Sequence, residues 1–162
     1  MAKFKFGTLI DSATVITARV ADGTGASNQL TDADVGKLVK LVGDSQYGLC
    51  AVGNEIEGQL IAANFNAPAD GFNLGSVATN GHPLRLKVTF DGLQATPGTG
   101  SIALGDYVVA GTPVARGTSL NDAYPKVCKA TAAGAALVYK WRVVSLDGTG
   151  AVGQTGLIER VS

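Results

Sequence analysis

Residues 34–63 read DVGKLVKLVGDSQYGLCAVGNEIEGQLIAA, and this stretch decides the fold class. Two turn sequences, Gly43-Asp44-Ser45 and Gly53-Asn54, divide it into three short apolar segments. Short apolar or β-branched runs that are bounded by Gly, Asn, Asp and Ser are typical of antiparallel strands. The stretch therefore predicts three consecutive strands joined by tight turns.

The same alternation of apolar runs and turns continues along the rest of the chain. It predicts further strands at 13–21, 72–79, 84–88, 107–110, 112–115, 126–131, 137–146 and 157–161. Asn80-Gly81 is a hairpin signal, and residues 31–34 predict a single helical turn because Gly36 follows at once. The predicted fold class is all-β: a small antiparallel β-sandwich or β-barrel with short strands, glycine-rich turns and an extended N-terminal arm.

The length of 162 residues fits one domain, or two small ones that share a core, and residues 1–162 are interpreted as a single β-rich domain. Residues 1–12 are a candidate N-terminal arm, and the loop at 94–101 is a candidate boundary between sub-modules. A loose echo joins VGKLVKLVGD at 35–44 to LGDYVVAGTP at 104–113. The echo fits either two similar β modules or the residue preferences that all β turns share, and the second interpretation is the more conservative.

The charge and the glycine content of the chain limit the classes of function that it can have. Charged residues make up 16% of the chain and cancel to a net charge of zero, which removes the long-range attraction that binding to a phosphate backbone requires. The composition therefore argues against nucleic acid as a partner. The 22 glycines are spread along the chain, which suits many tight turns and not a flexible linker.

The two cysteines, Cys50 and Cys128, sit inside apolar runs, and we interpret them as buried thiols, with a disulfide as the alternative. The start of the chain lacks the apolar core of a signal peptide. No apolar run is long enough to span a membrane, so no membrane partner is expected. A reducing bacterial cytoplasm is the expected compartment of synthesis.

The first residues alternate between lysine and phenylalanine, as Lys3, Phe4, Lys5 and Phe6. A period of two fits an edge strand with one apolar and one charged face. A disordered terminus and a contact with a partner protein are the other two interpretations, and the sequence does not separate them. These four residues are the candidate partner interface.

Residues 148–155, GTGAVGQT, match the spacing G-x-G-x-x-G. That motif binds phosphate through backbone N–H groups at the start of a helix. Here Gln154 stands where a P-loop has its lysine, and too little chain follows for the helix or for the acid that binds ribose. The motif therefore predicts a glycine-rich hairpin, and no cofactor is expected.

Three side chains are candidate catalytic groups. His82, the single histidine, lies between Gly81 and Pro83 and is interpreted as an exposed turn residue. Glu55 and Glu57 flank Ile56, so on a strand both would point to one face. Paired carboxylates can divide the acid and base roles in glycosidases. A solvated strand face is the favoured interpretation of this pair, and no catalytic, cofactor-binding or metal-binding residue is assigned.

Three segments resemble the small glycine-rich decoration (cement) proteins of tailed-bacteriophage capsids. They are 34–64, LGDYVVAGTPVARGT at 104–118 and KWRVVSLDGTGAVGQTGLIERV at 140–161. The resemblance lies in their order: a Gly-Lys-x-Val-Lys-Leu-type strand, a Gly-x-x-Ile-x-Gly-type step, a Gly-Asp-Tyr-Val strand and a late Trp-Arg-Val. These are structural patterns that cover a little under half of the chain.

The resemblance implies a virion structural protein that is not an enzyme. It would bind the major capsid protein on the capsid exterior, stabilise the assembled shell, and associate with itself as a dimer or trimer. A tail, fibre or adaptor module of the virion shares the composition and is the alternative. A carbohydrate-active enzyme that uses Glu55 and Glu57 is the third hypothesis.

Overall fold

The computed structural model describes residues 14–64, 73–80, 84–132 and 134–161. The candidate interface residues Lys3, Phe4, Lys5 and Phe6 lie outside the described residues, as do Gly81 and His82. The described part is all-β, as predicted. Its strands are β1 (Thr14–Val20), β2 (Leu38–Gly43), β3 (Gln46–Leu49), β4 (Gly58–Asn64), β5 (Leu74–Asn80), β6 (Arg85–Leu93), β7 (Thr96–Pro97), β8 (Tyr107–Ala110), β9 (Lys126–Lys129), β10 (Trp141–Leu146) and β11 (Thr155–Arg160).

Helical structure in the described residues is confined to three single turns of 3-10 helix, at Ala26–Asn28, Asp32–Asp34 and Gly134–Ala136. The second confirms the predicted helical turn. Its cap is formed by Thr31, whose backbone N–H donates to the Asp34 carboxylate (2.9 Å). The helix ends at Val35, which is no longer helical (ψ 135°), and Gly36 follows with φ 92°, which glycine adopts without strain.

The first barrel contains β1 to β5. Its strands follow the order β1-β3-β2-β4-β5, and β5 pairs with β1 to close the ring. Only β1 and β3 are parallel, and every other pair is antiparallel. The stretch at 34–63 supplies β2, β3 and β4, which confirms its prediction as three strands.

The second barrel contains β6 and β8 to β11. Its order is β6-β9-β8-β10-β11, and pairing of β11 with β6 closes it, while the short β7 is added to the end of β6. Here β6 and β9 are parallel and the other pairs antiparallel. The chain thus passes from one barrel to the next between Asn80 and Arg85, whereas the candidate boundary at 94–101 carries β7 within the second barrel.

The two barrels share one topology. When β1 is matched to β6, β2 to β8, β3 to β9, β4 to β10 and β5 to β11, each strand keeps the same neighbours and the same relative direction. The echoed segments at 35–44 and 104–113 fall on the matched strands β2 and β8. This agreement supports the interpretation as two similar modules over the more conservative one.

The cores are unequal because the first half of the chain contributes to both. Eight buried residues, among them Val20, Leu60 and Val77, fill the first barrel. The larger core of the second barrel surrounds Trp141 and Phe90, and it includes Leu38 and Ile56 from the first half. Trp141 is 0% exposed and is the largest buried side chain of this core.

One predicted strand starts later than expected, and another is absent. Strand β10 begins at Trp141 and not at Leu137, because the backbone N–H groups of Val138 and Tyr139 donate to a side chain instead of a neighbouring strand. Residues 112–115 form no strand either. The N–H of Thr112 donates to the Asp91 carboxylate (2.8 Å), and Pro113 has no N–H to offer.

Candidate functional site

The segment at 50–57 joins β3 to β4 and also enters the second barrel. The Trp141 indole Nε1–H donates to the Ile56 carbonyl (2.8 Å), and the Ile56 side chain is fully buried in the second core. Gly53 N–H donates to Ala110 O (2.8 Å), and Ala110 N–H donates to Asn54 O (2.9 Å). Residues 50–57, here called the joint, therefore fix the first barrel to the second.

Glu55 and Glu57 serve different elements in this joint. One Glu55 oxygen accepts the N–H groups of Val138 (2.9 Å) and Tyr139 (2.8 Å), and one Glu57 oxygen accepts the N–H of Leu41 (3.0 Å). Since residues 54–57 are not part of a strand, the alternation that would align the two carboxylates does not apply. The favoured interpretation as a solvated strand face is wrong: each carboxylate caps backbone donors of another segment.

Arg160, at the end of β11, completes this side of the joint. Its guanidinium donates to the carbonyls of Glu57 (3.0 Å) and Thr79, and it lies 4.9 Å from the centre of the Tyr139 ring. Burial lowers the pKa of Arg160, and its interactions with Tyr139 and Glu57 oppose that shift. Hydrogen bonds and a cation–π contact thus offset the cost of burying the charge.

A buried ion pair fixes a second contact between the barrels. The loop at 111–125, here called the strap, leaves the second barrel between β8 and β9 and lies against the first. Lys37 Nζ donates to Asp34 (2.8 Å) and to the strap carbonyl of Ala115 (2.6 Å), and Asp34 accepts the N–H of Gly117 (2.8 Å). Asp34 is 0% and Lys37 4% exposed, so each charge depends on these partners.

Local pattern predicts only a role for Asp34 at a helical turn. Its strap partner Gly117 is 83 residues away. No periodic pattern reports a contact at that separation. The available signal was Lys37, in the Gly-Lys-x-Val-Lys-Leu-type strand. A lysine next to an apolar run indicates a polar partner.

A cleft lies beneath the strap, between the barrels. Leu38 and Cys50 line it from the first barrel, and Thr112, Val114 and Leu120 line it from the strap. The volume of the cleft is about 30 Å³. Pockets that hold small-molecule substrates have volumes on the order of 300 Å³ or more, so this cleft does not fit one.

Both cysteines are buried free thiols, as interpreted from the sequence, and the disulfide alternative is wrong. Burial raises the pKa of Cys50 to about 12. Burial, with the adjacent Asp91 carboxylate, raises the pKa of Cys128 to about 11. Since the thiolate is the nucleophile, neither thiol is prepared for covalent chemistry at neutral pH.

The glycine-rich motif at 148–155 forms the hairpin between β10 and β11, which confirms that prediction. Gly150 and Gly153 have φ values of 77° and 84°, a region that favours glycine. Gly150 O accepts the N–H of Ile102 (2.9 Å), and Ser101 forms a bridge with Ala151. The motif therefore holds two loops together at one end of the second barrel.

Two of the loops at this end of the second barrel carry no ionisable side chain, and Lys129, the last residue of β9, lies at the same end. We call residues 92–105 and 148–156 the charge-free cap, since no Asp, Glu, Lys, Arg or His occurs in either segment. The strand directions place these loops where β6 and β10 finish and where β8 and β11 begin. Trp141 and Arg160, which contact the first barrel, lie at the opposite end of the same strands.

The carboxylates that border the charge-free cap are paired with lysines. Asp147 pairs with Lys87, Asp106 with Lys129 (2.9 Å) and Asp91 with Lys126 (3.8 Å). Hydrogen bonds from Lys87 and from the Thr155 hydroxyl lower the pKa of Asp147. The border is thus locally neutral, and the cap is surrounded by balanced charge.

In the described part of the chain, no group of three or more His, Cys, Asp or Glu is placed to hold a metal ion. Within the same residues, no helix is long and apolar enough to cross a membrane. Comparison of the chain with protein-family models, curated proteins and solved structures finds no match.

Proposed function

We propose that the protein is a capsid decoration protein that binds the outer surface of an assembled phage capsid and stabilises the shell. The observation that carries the proposal is the use of the polar groups. The carboxylates of Asp34, Glu55 and Glu57 hold backbone groups within or between the barrels, and the two thiols are buried. Such a body is suited to bearing load and to presenting surfaces.

Three properties support the proposal. Three of the four sequence patterns that resemble decoration proteins fall on β2, β8 and β10. The joint and the strap connect the barrels at separate points, so that the protein transmits force as one body. The charge-free cap offers an uncharged protein-binding face, and the centres of protein interfaces are depleted of charge.

Repetition makes a modest affinity sufficient for this role. A capsid presents many identical sites, so a weak contact per copy adds up over the shell to a large resistance against internal pressure. A decoration protein therefore needs no deep pocket or large hot spot. Shallow surface chemistry of the kind seen on the two barrels is adequate.

Co-sedimentation tests the proposal directly. Purified protein is incubated with mature-form shells, precursor-form shells and, as a control, shells of an unrelated phage. The expected result is saturable binding to one or both related forms and none to the control, with bound shells surviving heating that opens bare shells. Absence of binding to either related form would overturn the proposal.

Labelling of intact particles separates decoration from the other virion roles. Gold-labelled antibody against the protein is expected to cover the whole shell. A signal confined to one vertex or to the tail would instead assign the protein to a tail, fibre or adaptor module.

A further inference from the structure

The strap occupies the place of a tight turn. In the first barrel a two-residue turn joins β2 to β3, since Gly43 already pairs with Gln46. The matched strands β8 and β9 are joined by the whole strap, although Gly111 N–H donates to Lys126 O (2.9 Å) where the strap begins and ends. Surface loops whose two ends are in contact are Ω-loops, and they are frequently functional. The strap is therefore an insertion into a hairpin that the first barrel closes without one.

The strap adds no side chain to the barrel cores. None of residues 112–124 is buried, and only Val114, Leu120 and Tyr124 are half-buried. The core clusters of the described chain contain no strap residue. A segment with few buried apolar contacts belongs to the low end of local stability, where parts of a native protein open without global unfolding.

The strap is attached to the first barrel by polar contacts near its middle. Besides the hydrogen bonds of residues 115 and 117 with Lys37 and Asp34, the Arg116 guanidinium donates to the side-chain oxygen of Asn28 (3.1 Å). These contacts come from three consecutive residues. Loss of one short attachment thus separates this part of the strap from the first barrel.

The buried ion pair stays paired when the strap leaves. Asp34 and Lys37 both belong to the first barrel and contact each other at 2.8 Å, and Thr31 N–H also donates to Asp34. Water can replace the Ala115 carbonyl and the Gly117 N–H in an open state. Burial deprives both charges of hydration, which opening restores. The strap can therefore leave without stranding a buried charge, and this lowers the free energy of opening.

We propose that the strap is a lid that opens as a unit while both barrels and the joint stay folded. Its base stays on the second barrel, where Thr112 N–H donates to Asp91, and its middle leaves the first barrel. The open state exposes the cleft, with Leu38 and Cys50 in its lining. The closed strap connects the barrels at a second point besides the joint. Opening removes that point and makes the connection between the barrels adjustable.

Labelling of the two native thiols tests the opening. Cys50 lines the cleft, whereas Cys128 packs with Val109 and Leu137 outside it. With N-ethylmaleimide and no urea, Cys50 is expected to react at least about 100-fold faster than Cys128, as read by peptide mass spectrometry. The Cys50 rate should change little with urea below the unfolding transition, because a local opening exposes little surface. Equal rates with the same urea dependence would show that only global unfolding releases Cys50 and would overturn the proposal.

Hydrogen exchange assigns the opening to the strap. The Gly117 amide loses its Asp34 acceptor in the same event that exposes Cys50, so the protection factors of the amide and the thiol should agree within about threefold. The Thr112 amide should be more protected, because its bond to Asp91 persists in the open state. A Gly117 amide that is far more protected than the Cys50 thiol would mean that Cys50 is reached by another route, which contradicts the proposal.

Two variants separate the strap from the joint. Leu120 packs beside Gly36 only when the strap is closed, so Leu120→Ala should accelerate Cys50 labelling about tenfold. Glu55→Ala weakens the joint, which stays intact in the open state, and should leave Cys50 labelling unchanged although it lowers the global stability. Acceleration in Glu55→Ala, or none in Leu120→Ala, would overturn the inference. None of these rates depends on a capsid, so the test is independent of the proposed function.

Discussion

The indole N–H of Trp141 donates to the carbonyl of Ile56 at 2.8 Å, so the largest side chain in the second core is bonded to the backbone of the first half of the chain. The Ile56 carbonyl gives the buried indole N–H a hydrogen-bond acceptor, and this acceptor comes from outside the second barrel. The relative placement of the two barrels is thereby part of the packing of one of them.

Removing one charge of the pair beneath the strap should be costly. Asp34→Asn leaves the Lys37 ammonium buried without its counterion, and the expected loss is about 3 kcal/mol in the free energy of unfolding, measured by urea denaturation. The matched control is Glu159→Gln beside Arg85, whose side chain is 41% exposed. It should cost less than about 1 kcal/mol.

A double variant distinguishes uncompensated charge from lost packing. Asp34→Asn combined with Lys37→Met removes both charges and should recover part of the stability that Asp34→Asn loses. Equal stability of the single and double variants would show that the unpaired Lys37 charge is not the cause.

Replacing Glu55 should release two specific amides. Glu55→Ala removes the acceptor of the Val138 and Tyr139 N–H groups, so their hydrogen exchange should accelerate and the free energy of unfolding should fall by about 2 kcal/mol. Glu57→Ala is the control, because it should accelerate exchange at Leu41 and leave Val138 and Tyr139 unchanged. Turnover of a sugar substrate that is lost in both variants would instead support the carbohydrate-active alternative.

Alkaline pH should destabilise the protein through the Cys50 thiol. Its pKa rises from an ordinary 9.0 to about 12 in the folded state. As the pH rises above 9, the unfolded chain loses a proton that the folded chain retains, so the free energy of unfolding falls. Between pH 8 and pH 10, wild type should lose about 1 kcal/mol more than Cys50→Ala. Identical losses in urea titrations would show that Cys50 does not titrate in this way.

Two glycines of the same hairpin should respond differently to alanine. A Cβ on Gly150 would lie 1.8 Å from Ile102 O, whereas a Cβ on Gly153 meets nothing within 4 Å. Gly153→Ala should therefore cost only the strain of a positive φ, on the order of 1 kcal/mol. Gly150→Ala should cost at least twice as much in thermal or urea unfolding. Similar losses would indicate that the contact between the two loops of the charge-free cap is loose.

Local pattern was sufficient to predict most of the strands. The turns at Gly43-Asp44-Ser45 and Gly53-Asn54 divide the decisive stretch where the structure divides it, and the burial of Cys50 follows from its apolar neighbours. Such features depend on residues close in sequence. The sequence shows the two uncharged segments of the charge-free cap, but it does not show that they lie close together.

The joint could not be predicted because each of its contacts spans a large part of the chain. Glu55 and Tyr139 are separated by 84 residues and Arg160 and Thr79 by 81. The start of the strand predicted at 137–146 is wrong for the same reason, because the distant Glu55 carboxylate accepts the N–H groups that would have extended β10. The pairing of β11 with β6, which closes the second barrel, is equally non-local.

The burial of Ile56 and Leu38 in the second core has a consequence for melting. The first barrel cannot unfold on heating while the second stays folded, because its unfolding removes two side chains from the core of the second. The chain should therefore denature in a single cooperative step, with one calorimetric peak. The two barrels, which share one topology, would unfold as a single thermodynamic unit.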